Sequence, residues 1–162
     1  MQITIQPDRN IDGVIMAPPS KSMAHRAVLC AALAKGTSHI RNLEFSKDIA
    51  ATLAAAGQLC ARVTTGGNDA AVEGLGHFLP VEAPVDCCES GSTLRFLLPL
   101  FMALGKLDAV FTGSPRLLQR PIPADLGLCP TAAGLTLTRP LRSGTWTLSA
   151  AATSQVVSGL LM

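Results

Sequence analysis

Three polar segments of this sequence precede apolar segments and carry the residue types that bind anions. Residues 19–26 hold two serines, a lysine and an arginine, residues 89–95 hold Ser-Gly-Ser and an arginine, and residues 153–155 read Thr-Ser-Gln. A helix N-terminus exposes unpaired N–H groups and the positive end of its dipole, so it binds phosphate and carboxylate groups. The pattern predicts three helix starts that converge on one cleft around an anionic small molecule.

The cations of the first segment are candidates for ligand binding. Lys21 lies in a first helical turn, where a cation opposes the helix dipole unless an anion is close. Arg26 follows Ser22 by four residues and therefore shares its helix face. These three residues are predicted to bind an anion, whereas His25 is predicted to point to the surface.

The second segment offers a close backbone approach and further charge. Gly91 lacks a Cβ, so a ligand can approach its backbone, although Ser-Gly-Ser by itself is more often a turn. Arg95 is predicted either to pair with a carboxylate such as Glu89 or to shape the pocket. Arg116 follows a predicted strand end, where it either contacts a ligand or is an exposed loop charge.

Composition narrows the class of protein. The 162 residues are 48% hydrophobic and 15% charged, which is typical of one globular domain. A net charge of +2, with no basic run among aromatics, argues against nucleic-acid binding. The apolar run 96–104 contains Pro99 and is too short to span a membrane, and residues 1–7 do not resemble a signal peptide.

The cysteines do not suggest a metal site. No Cys-x-x-Cys or Cys/His ligand spacing occurs, so no metal is predicted. An odd number at irregular spacing favours buried free thiols in a reducing cytosol, at positions 30, 60, 87, 88 and 129.

Periodicity and turn residues predict an α/β (α+β) fold of repeated β-α-β-α-β-β units. The first unit is predicted to place a helix, a strand, a second helix and a hairpin at 20–34, 38–41, 46–57, 61–65 and 70–73. The second is predicted to have strands at 85–87 and 109–111, a helix at 90–104 and a hairpin at 135–138 and 145–148. The proline-rich stretch 121–130 leaves room for one helical turn. A third unit begins with a helix near residue 154.

These clusters together resemble a known family, 5-enolpyruvylshikimate-3-phosphate synthase, the enolpyruvyl transferase of the shikimate pathway. The motifs that carry the resemblance, in order, are Lys21-Ser22-x-x-x-Arg26, Glu89 to Arg95, Thr112 to Pro121 and Ser154-Gln155. The resemblance implies two domains of three units each. Residues 14–162 would then be the first domain, truncated in its third repeat, and residues 1–13 a strand belonging to the second domain.

The resemblance also implies a reaction and its substrates. The 5-hydroxyl of shikimate 3-phosphate adds to C2 of phosphoenolpyruvate, and phosphate is then eliminated, with neither a metal nor an organic cofactor. By resemblance, Lys21 contacts phosphoenolpyruvate and assists proton transfer, and Ser22 and Arg26 hold the shikimate ring and its carboxylate. Gly91 and Arg116 bind phosphoenolpyruvate.

The third motif residues also receive roles by resemblance. Thr153 and Ser154 take the shikimate phosphate, and Gln155 lies between the two ligands. The family's second domain supplies further catalytic residues, so the chain is predicted to need it.

Two alternatives stay open at this point. A sister enolpyruvyl transferase acting on a UDP-sugar uses a Lys-Asn pair and a loop cysteine, whereas Lys21 here precedes Ser22. A non-catalytic fragment that at most binds phosphate ligands is the other alternative.

Overall fold

A computed structural model of the chain describes residues 3–4, 12–59, 61–123, 126–148 and 154–162. These ranges contain both helices and strands. In chain order they are α1 Lys21–Leu33, β1 Gly36–Ile40, α2 Lys47–Leu59, β2 Ala61–Gly66, β3 Asp69–Gly74, β4 Val85–Asp86, α3 Gly91–Ala103, β5 Val110–Thr112, α4 Pro115–Leu118, β6 Leu128–Thr131, β7 Gly134–Leu137 and α5 Ser154–Leu160.

Serine caps define the starts of the first three helices. The Oγ atoms of Ser20, Ser46 and Ser90 each accept a hydrogen bond from the backbone N–H three residues on, at 3.4, 3.3 and 3.1 Å. Such caps satisfy one of the first four N–H groups, which have no partner inside the helix. The predicted starts of these helices are confirmed.

Two small sheets carry the strands. The first has the order β1-β3-β2 and is antiparallel throughout. The second has the order β4-β5-β7-β6, in which β4 and β5 are parallel and the other pairs antiparallel. Because α1, β1, α2, β2 and β3 follow one another as α3, β5, α4, β6 and β7 do, the two segments share one connectivity. A third repeat remains a prediction.

The second hairpin differs from its prediction. It is formed by β6 and β7, whereas residues 145–148 lie in no strand. The stretch 121–130, predicted to have room for one helical turn, ends in β6, which includes Pro130. Because β6 is the edge strand of its sheet, the missing N–H of Pro130 can be tolerated. The short helix α4 lies before the proline-rich stretch, and Pro115 begins it because a first-turn residue needs no N–H partner.

The burial of the cysteines agrees only in part with the prediction. Cys87 is buried, as predicted, but Cys30 and Cys129 are exposed, so the prediction of buried thiols is wrong for these two. Cys60 lies outside the described residues.

The predicted strand in residues 1–13 is not found in the part that is described. Ile3 and Thr4 lie in no strand, and most of the predicted segment 1–13 lies outside the described residues.

Helix α3 lies at the centre of the core. Its Phe96 and Phe101 are fully buried, and Phe101 meets Phe111 of β5 edge to face at 4.9 Å between ring centroids. Helix α5 packs on α3 at Gly159, where an added Cβ would come within 2.9 Å of the Phe96 carbonyl oxygen. This close approach brings the starts of the two helices together. No helix in the described ranges is long and apolar enough to cross a membrane.

Candidate active site

Side chains from α1, α3 and α5 are hydrogen-bonded to one another. Gln155 in the first turn of α5 donates through Nε2 to the Ser92 hydroxyl of α3 at 2.7 Å. Its Oε1 accepts from Arg95 Nη1 at 3.3 Å. Arg26 of α1 donates to the Ser158 hydroxyl of α5 at 3.0 Å. The starts of α3 and α5 therefore meet, whereas α1 contacts α5 through Arg26 in its second turn and Ser158 near the end of α5. The meeting of all three helix starts stays a prediction.

Lys21 is joined to a fourth helix start. Its Nζ forms an ion pair with the carboxylate of Asp48 in the first turn of α2, and its side chain remains 50% exposed. A carboxylate is favoured at this end of a helix because it faces the positive end of the dipole. Asp48 was not among the predicted site residues, because an acidic residue soon after a serine cap is also a common local signal of a helix start.

Arg26 is fixed by contacts on several sides. Nη1 donates to the Ser22 carbonyl and hydroxyl oxygens at 2.8 and 3.0 Å. The guanidinium carbon also lies 4.9 Å from the ring centroid of Phe96, within cation–π range. Since Ser158 holds Nη2, the side chain is oriented before any ligand binds.

His25 is fully buried, so the prediction that it points to the surface is wrong. Its Nδ1 lies 2.7 Å from the Thr52 hydroxyl of α2. The signal was present in the sequence: Val28, Leu29 and Ala32 stand three, four and seven residues on, which places them on the same helix face.

A buried chain of hydroxyl groups continues from His25. The Thr52 hydroxyl lies 2.6 Å from that of Thr93, which lies 2.7 Å from the Ser90 cap of α3. The backbone carbonyl of Asp48 accepts from both threonines, at 3.2 and 3.3 Å. These hydrogen-bonded hydroxyl groups connect the starts of α2 and α3 beneath the Lys21–Asp48 pair.

The environment keeps His25 neutral. Burial lowers its pKa from 6.5 to about 4; the nearby carboxylate of Asp48 opposes the shift, and Lys21 and Arg26 add to it. Its Nε2 has no hydrogen-bond partner. A protonated ring would therefore place an uncompensated charge among buried groups.

Two arginines lie over Gly91, the first residue of α3. A Cβ added there would lie 2.7 Å from Arg95 Nη1 and 2.9 Å from Arg120 Nη1. Arg95 also donates to the Pro121 carbonyl at 3.3 Å. It forms no ion pair with Glu89 or any other described carboxylate, so the predicted pairing is wrong, and its role in shaping a pocket stays a prediction. Burial, and secondarily Arg120, lower the pKa of Arg95.

The remaining predicted residues are less connected. Arg116 is exposed in α4, and within the described ranges no hydrogen bond or ion pair ties it to the other predicted residues. Ser154 is exposed at the start of α5. Thr153 lies outside the described residues. Among those that are described, no group of three or more His, Cys, Asp or Glu could hold a metal ion.

Comparison with known proteins identifies the family. A family model described as EPSP synthase (3-phosphoshikimate 1-carboxyvinyltransferase) matches residues 5–127. The chain belongs to the EPSP synthase family.

Curated relatives agree with this assignment. A 3-phosphoshikimate 1-carboxyvinyltransferase of Clostridium kluyveri is 37% identical over 98% of this chain, and one of Clostridium beijerinckii is 40% identical over 69% of it. These alignments cover 39% and 27% of the two relatives. The chain thus spans well under half the length of the EPSP synthases it matches.

Solved structures share the fold. An EPSP synthase from Acinetobacter baumannii superposes with a TM-score of 0.74 at 23% identity, over 92% of this chain and 37% of the other. A second structure of that enzyme gives a TM-score of 0.75 at 25% identity over the same shares. The predicted α/β class is confirmed by this likeness.

Proposed function

We propose that the protein transfers the enolpyruvyl group of phosphoenolpyruvate to the 5-hydroxyl of shikimate 3-phosphate. The observation that carries this proposal is the contact between the starts of α3 and α5, with Arg26 of α1 bonded to α5, in a chain of the EPSP synthase family. Lys21, Arg26 and Arg95 surround these starts, and Asp48 pairs with only one of them. Substrates that carry phosphate and carboxylate groups are attracted by such a surface.

Lys21 is the residue proposed to assist the proton transfers of the reaction. Addition of the 5-hydroxyl across C2 and C3 of phosphoenolpyruvate forms a C2–O bond and puts a proton on C3. Loss of that proton and of phosphate then restores the double bond. Lys21 contacts phosphoenolpyruvate and assists these proton transfers, because a half-exposed ammonium held by Asp48 can reach a ligand at the helix starts.

The other residues hold the substrates. Ser22 and Arg26 orient the shikimate ring and its carboxylate, which suits an arginine already fixed by Phe96 and Ser158. Gly91 and Arg116 bind phosphoenolpyruvate, with Gly91 offering backbone that no Cβ covers.

The start of α5 completes the substrate contacts. Thr153 and Ser154 bind the shikimate phosphate. Gln155 lies between the two ligands, consistent with its contacts to both Ser92 and Arg95.

We further infer that the reaction takes place in the cytoplasm and requires a second domain. The chain covers 39% of the Clostridium kluyveri relative, so most of that protein's length has no counterpart here. A charged intermediate is stabilised best where both walls of a site exclude water. Neither a metal nor an organic cofactor is part of the proposal.

The cysteines disfavour the sister reaction on a UDP-sugar, which uses a reactive loop thiol. Burial raises the pKa of Cys87 to about 12. Burial and the Asp86 carboxylate also raise the pKa of Cys88. Both thiols beside α3 are therefore protonated at neutral pH and poor nucleophiles.

A chimera tests the proposal. The matching portion of the Clostridium kluyveri relative is replaced by residues 14–162, and phosphate release from phosphoenolpyruvate is measured with shikimate 3-phosphate and, separately, with a UDP-sugar. Turnover that depends on shikimate 3-phosphate supports the proposal. A folded chimera without turnover contradicts it and favours the alternative of a fragment that at most binds phosphate ligands.

A further inference from the structure

Lys21 and its acidic partner belong to different helices. Lys21 lies in α1, whereas Asp48, whose carboxylate pairs with the Lys21 ammonium, lies in the first turn of α2. A lysine side chain is a flexible four-carbon stem, so the carboxylate that holds the ammonium decides where the ammonium lies. An aspartate side chain is short by comparison. Whatever holds the backbone of Asp48 therefore also helps to place the Lys21 ammonium.

The backbone of Asp48 is held from a third helix. The Asp48 carbonyl oxygen accepts from the Thr93 hydroxyl of α3 at 3.3 Å and from the Thr52 hydroxyl at 3.2 Å. Thr52 stands four residues after Asp48 in α2, so its bond lies within that helix and cannot fix α2 relative to α3. Of these two hydroxyl donors, only Thr93 ties the Asp48 backbone to another element.

The protons of the buried hydroxyl chain are compatible with this bond. Thr93 is fully buried, and its hydroxyl has one proton and two lone pairs. The hydroxyls of Thr52 and Ser90, at 2.6 and 2.7 Å, can each donate to one of these lone pairs. The Thr93 proton is then left for the Asp48 carbonyl, and His25 completes the arrangement by donating to Thr52. Because Thr93 is shielded from water, these bonds hold its hydroxyl in place.

We propose that Thr93 is a positioning residue for Lys21. Its hydrogen bond fixes the first turn of α2 against the first turn of α3, and Asp48 passes this position on to the Lys21 ammonium. Since Thr93 stands two residues after Gly91, the ammonium is kept at a set distance from the start of α3. The effect of Thr93 on turnover rests on the proposed function, whereas its effect on the position of Lys21 does not.

An NMR experiment on the chain follows Lys21 directly. The lysines are methylated with isotope-labelled formaldehyde, which keeps their charge, and the Lys21 signal is assigned by its loss in Lys21→Arg. Asp48→Asn gives the signal position of a Lys21 without its ion pair. Thr93→Val is expected to shift the Lys21 signal toward that position by about half of the difference or more. Thr93→Ser keeps the hydroxyl and is expected to retain the wild-type signal.

Control variants separate positioning from a loss of stability. Leu137→Ala removes a buried side chain of β7 and is expected to lower the melting temperature at least as much as Thr93→Val, without shifting the Lys21 signal. Thr65→Val makes the same chemical change on the exposed end of β2 and is expected to alter neither quantity. Thr93→Cys, whose thiol is a weak donor, replaces Thr93→Val if that variant does not fold.

Turnover of the chimera gives a second measurement. Thr93→Val is expected to lower kcat about 10- to 100-fold, since a misplacement of ~1 Å can cost that much, and to leave the KM for shikimate 3-phosphate within about twofold of wild type. Thr93→Ser is expected to retain the wild-type kcat.

Three results would overturn the positioning role: an unshifted Lys21 signal in Thr93→Val, an equal shift in Leu137→Ala, or an active chimera whose kcat is unchanged by Thr93→Val. Failure of the proposed function looks different. If the unsubstituted chimera is inactive while Thr93→Val still shifts the Lys21 signal of the chain, Thr93 positions Lys21 and the proposed reaction is rejected.

Discussion

The Nδ1 atom of His25 lies 2.7 Å from the hydroxyl oxygen of Thr52, and this contact joins α1 to α2 inside the core. The ring nitrogen Nε2 is buried without a partner, so the favoured tautomer carries its proton on Nδ1 and leaves only a lone pair unsatisfied. Thr52 then accepts from His25 and can donate its own proton to Thr93 or to the Asp48 carbonyl.

His25 predicts an acid-sensitive stability. Its folded pKa of about 4 lies below the usual 6.5, so the unfolded chain binds the proton first as pH falls. Stability is therefore intact above pH 6.5 and decreases from there toward pH 4, by at most ~1.4 kcal/mol per pH unit and roughly 3 kcal/mol in all. Urea unfolding at a series of pH values measures this.

A histidine pair provides the control for that measurement. His25→Asn is expected to flatten the decrease between pH 6.5 and 5, where carboxylates contribute little. His39→Asn alters an exposed residue of β1 and is expected to leave the pH dependence as it is in wild type. An unchanged slope in His25→Asn would show that another group causes the loss.

Thr93→Val is expected to destabilise the fold through the buried hydroxyl chain. The change keeps the shape of the side chain but leaves Thr52 and Ser90 short of a partner, which costs ~1–3 kcal/mol. Thr65→Val, on the exposed end of β2, is expected to change the free energy of unfolding by less than about 0.5 kcal/mol. Equal effects of the two substitutions in urea unfolding would contradict this role.

Two glycine-to-alanine changes in helices are expected to have opposite signs. Gly159→Ala places a Cβ within 2.9 and 3.1 Å of the Phe96 and Arg95 carbonyl oxygens, so α5 must move away from α3, at a cost of ~1–3 kcal/mol. Gly57→Ala, in α2, meets nothing within 4 Å and is expected to stabilise the fold by ~0.5–1 kcal/mol. The melting temperatures of both variants test this prediction. A Gly159→Ala variant more stable than wild type would refute the close packing of α3 and α5.

Lys21→Ala is expected to reduce turnover of the chimera by ~10²–10⁴, the usual contribution of a proton-transfer residue. Lys21→Arg should also be poor, because a planar guanidinium does not replace a compact ammonium. Lys35→Ala, in the exposed bend just after α1, is the matched control and should keep wild-type turnover. Retention of more than about a third of wild-type activity in Lys21→Ala would remove this residue from the proposed mechanism.

Local sequence signals predicted most of the fold correctly. The serine caps at Ser20, Ser46 and Ser90 act within three residues, so their helices could be placed from sequence alone. The second hairpin could not, because the tolerance of Pro130 depends on which strand lies at the sheet edge, a property of the whole sheet. Helix α4 was missed because a four-residue helix has too few residues to show a period.

The candidate site was predictable in its parts but not in its contacts. The motifs identified Lys21, Arg26 and Gln155, whereas the pairing of Lys21 with Asp48 joins residues 27 apart in sequence. The proximity of Arg95 to Arg120 depends on how α3 and the segment after α4 pack. No pattern in a single sequence reports such distances between separate elements.

The strand order β1-β3-β2 of the first sheet recurs in the second as β5-β7-β6, beside the additional strand β4. Helices α1 and α3 hold equivalent places in their segments, yet one begins with Lys-Ser and the other with Gly-Ser. Residues in these first turns take no part in the strand pairing that defines the sheets. A duplicated unit of this kind can therefore diverge in specificity by exchanging a few first-turn residues, while its hydrogen-bonded frame is inherited unchanged.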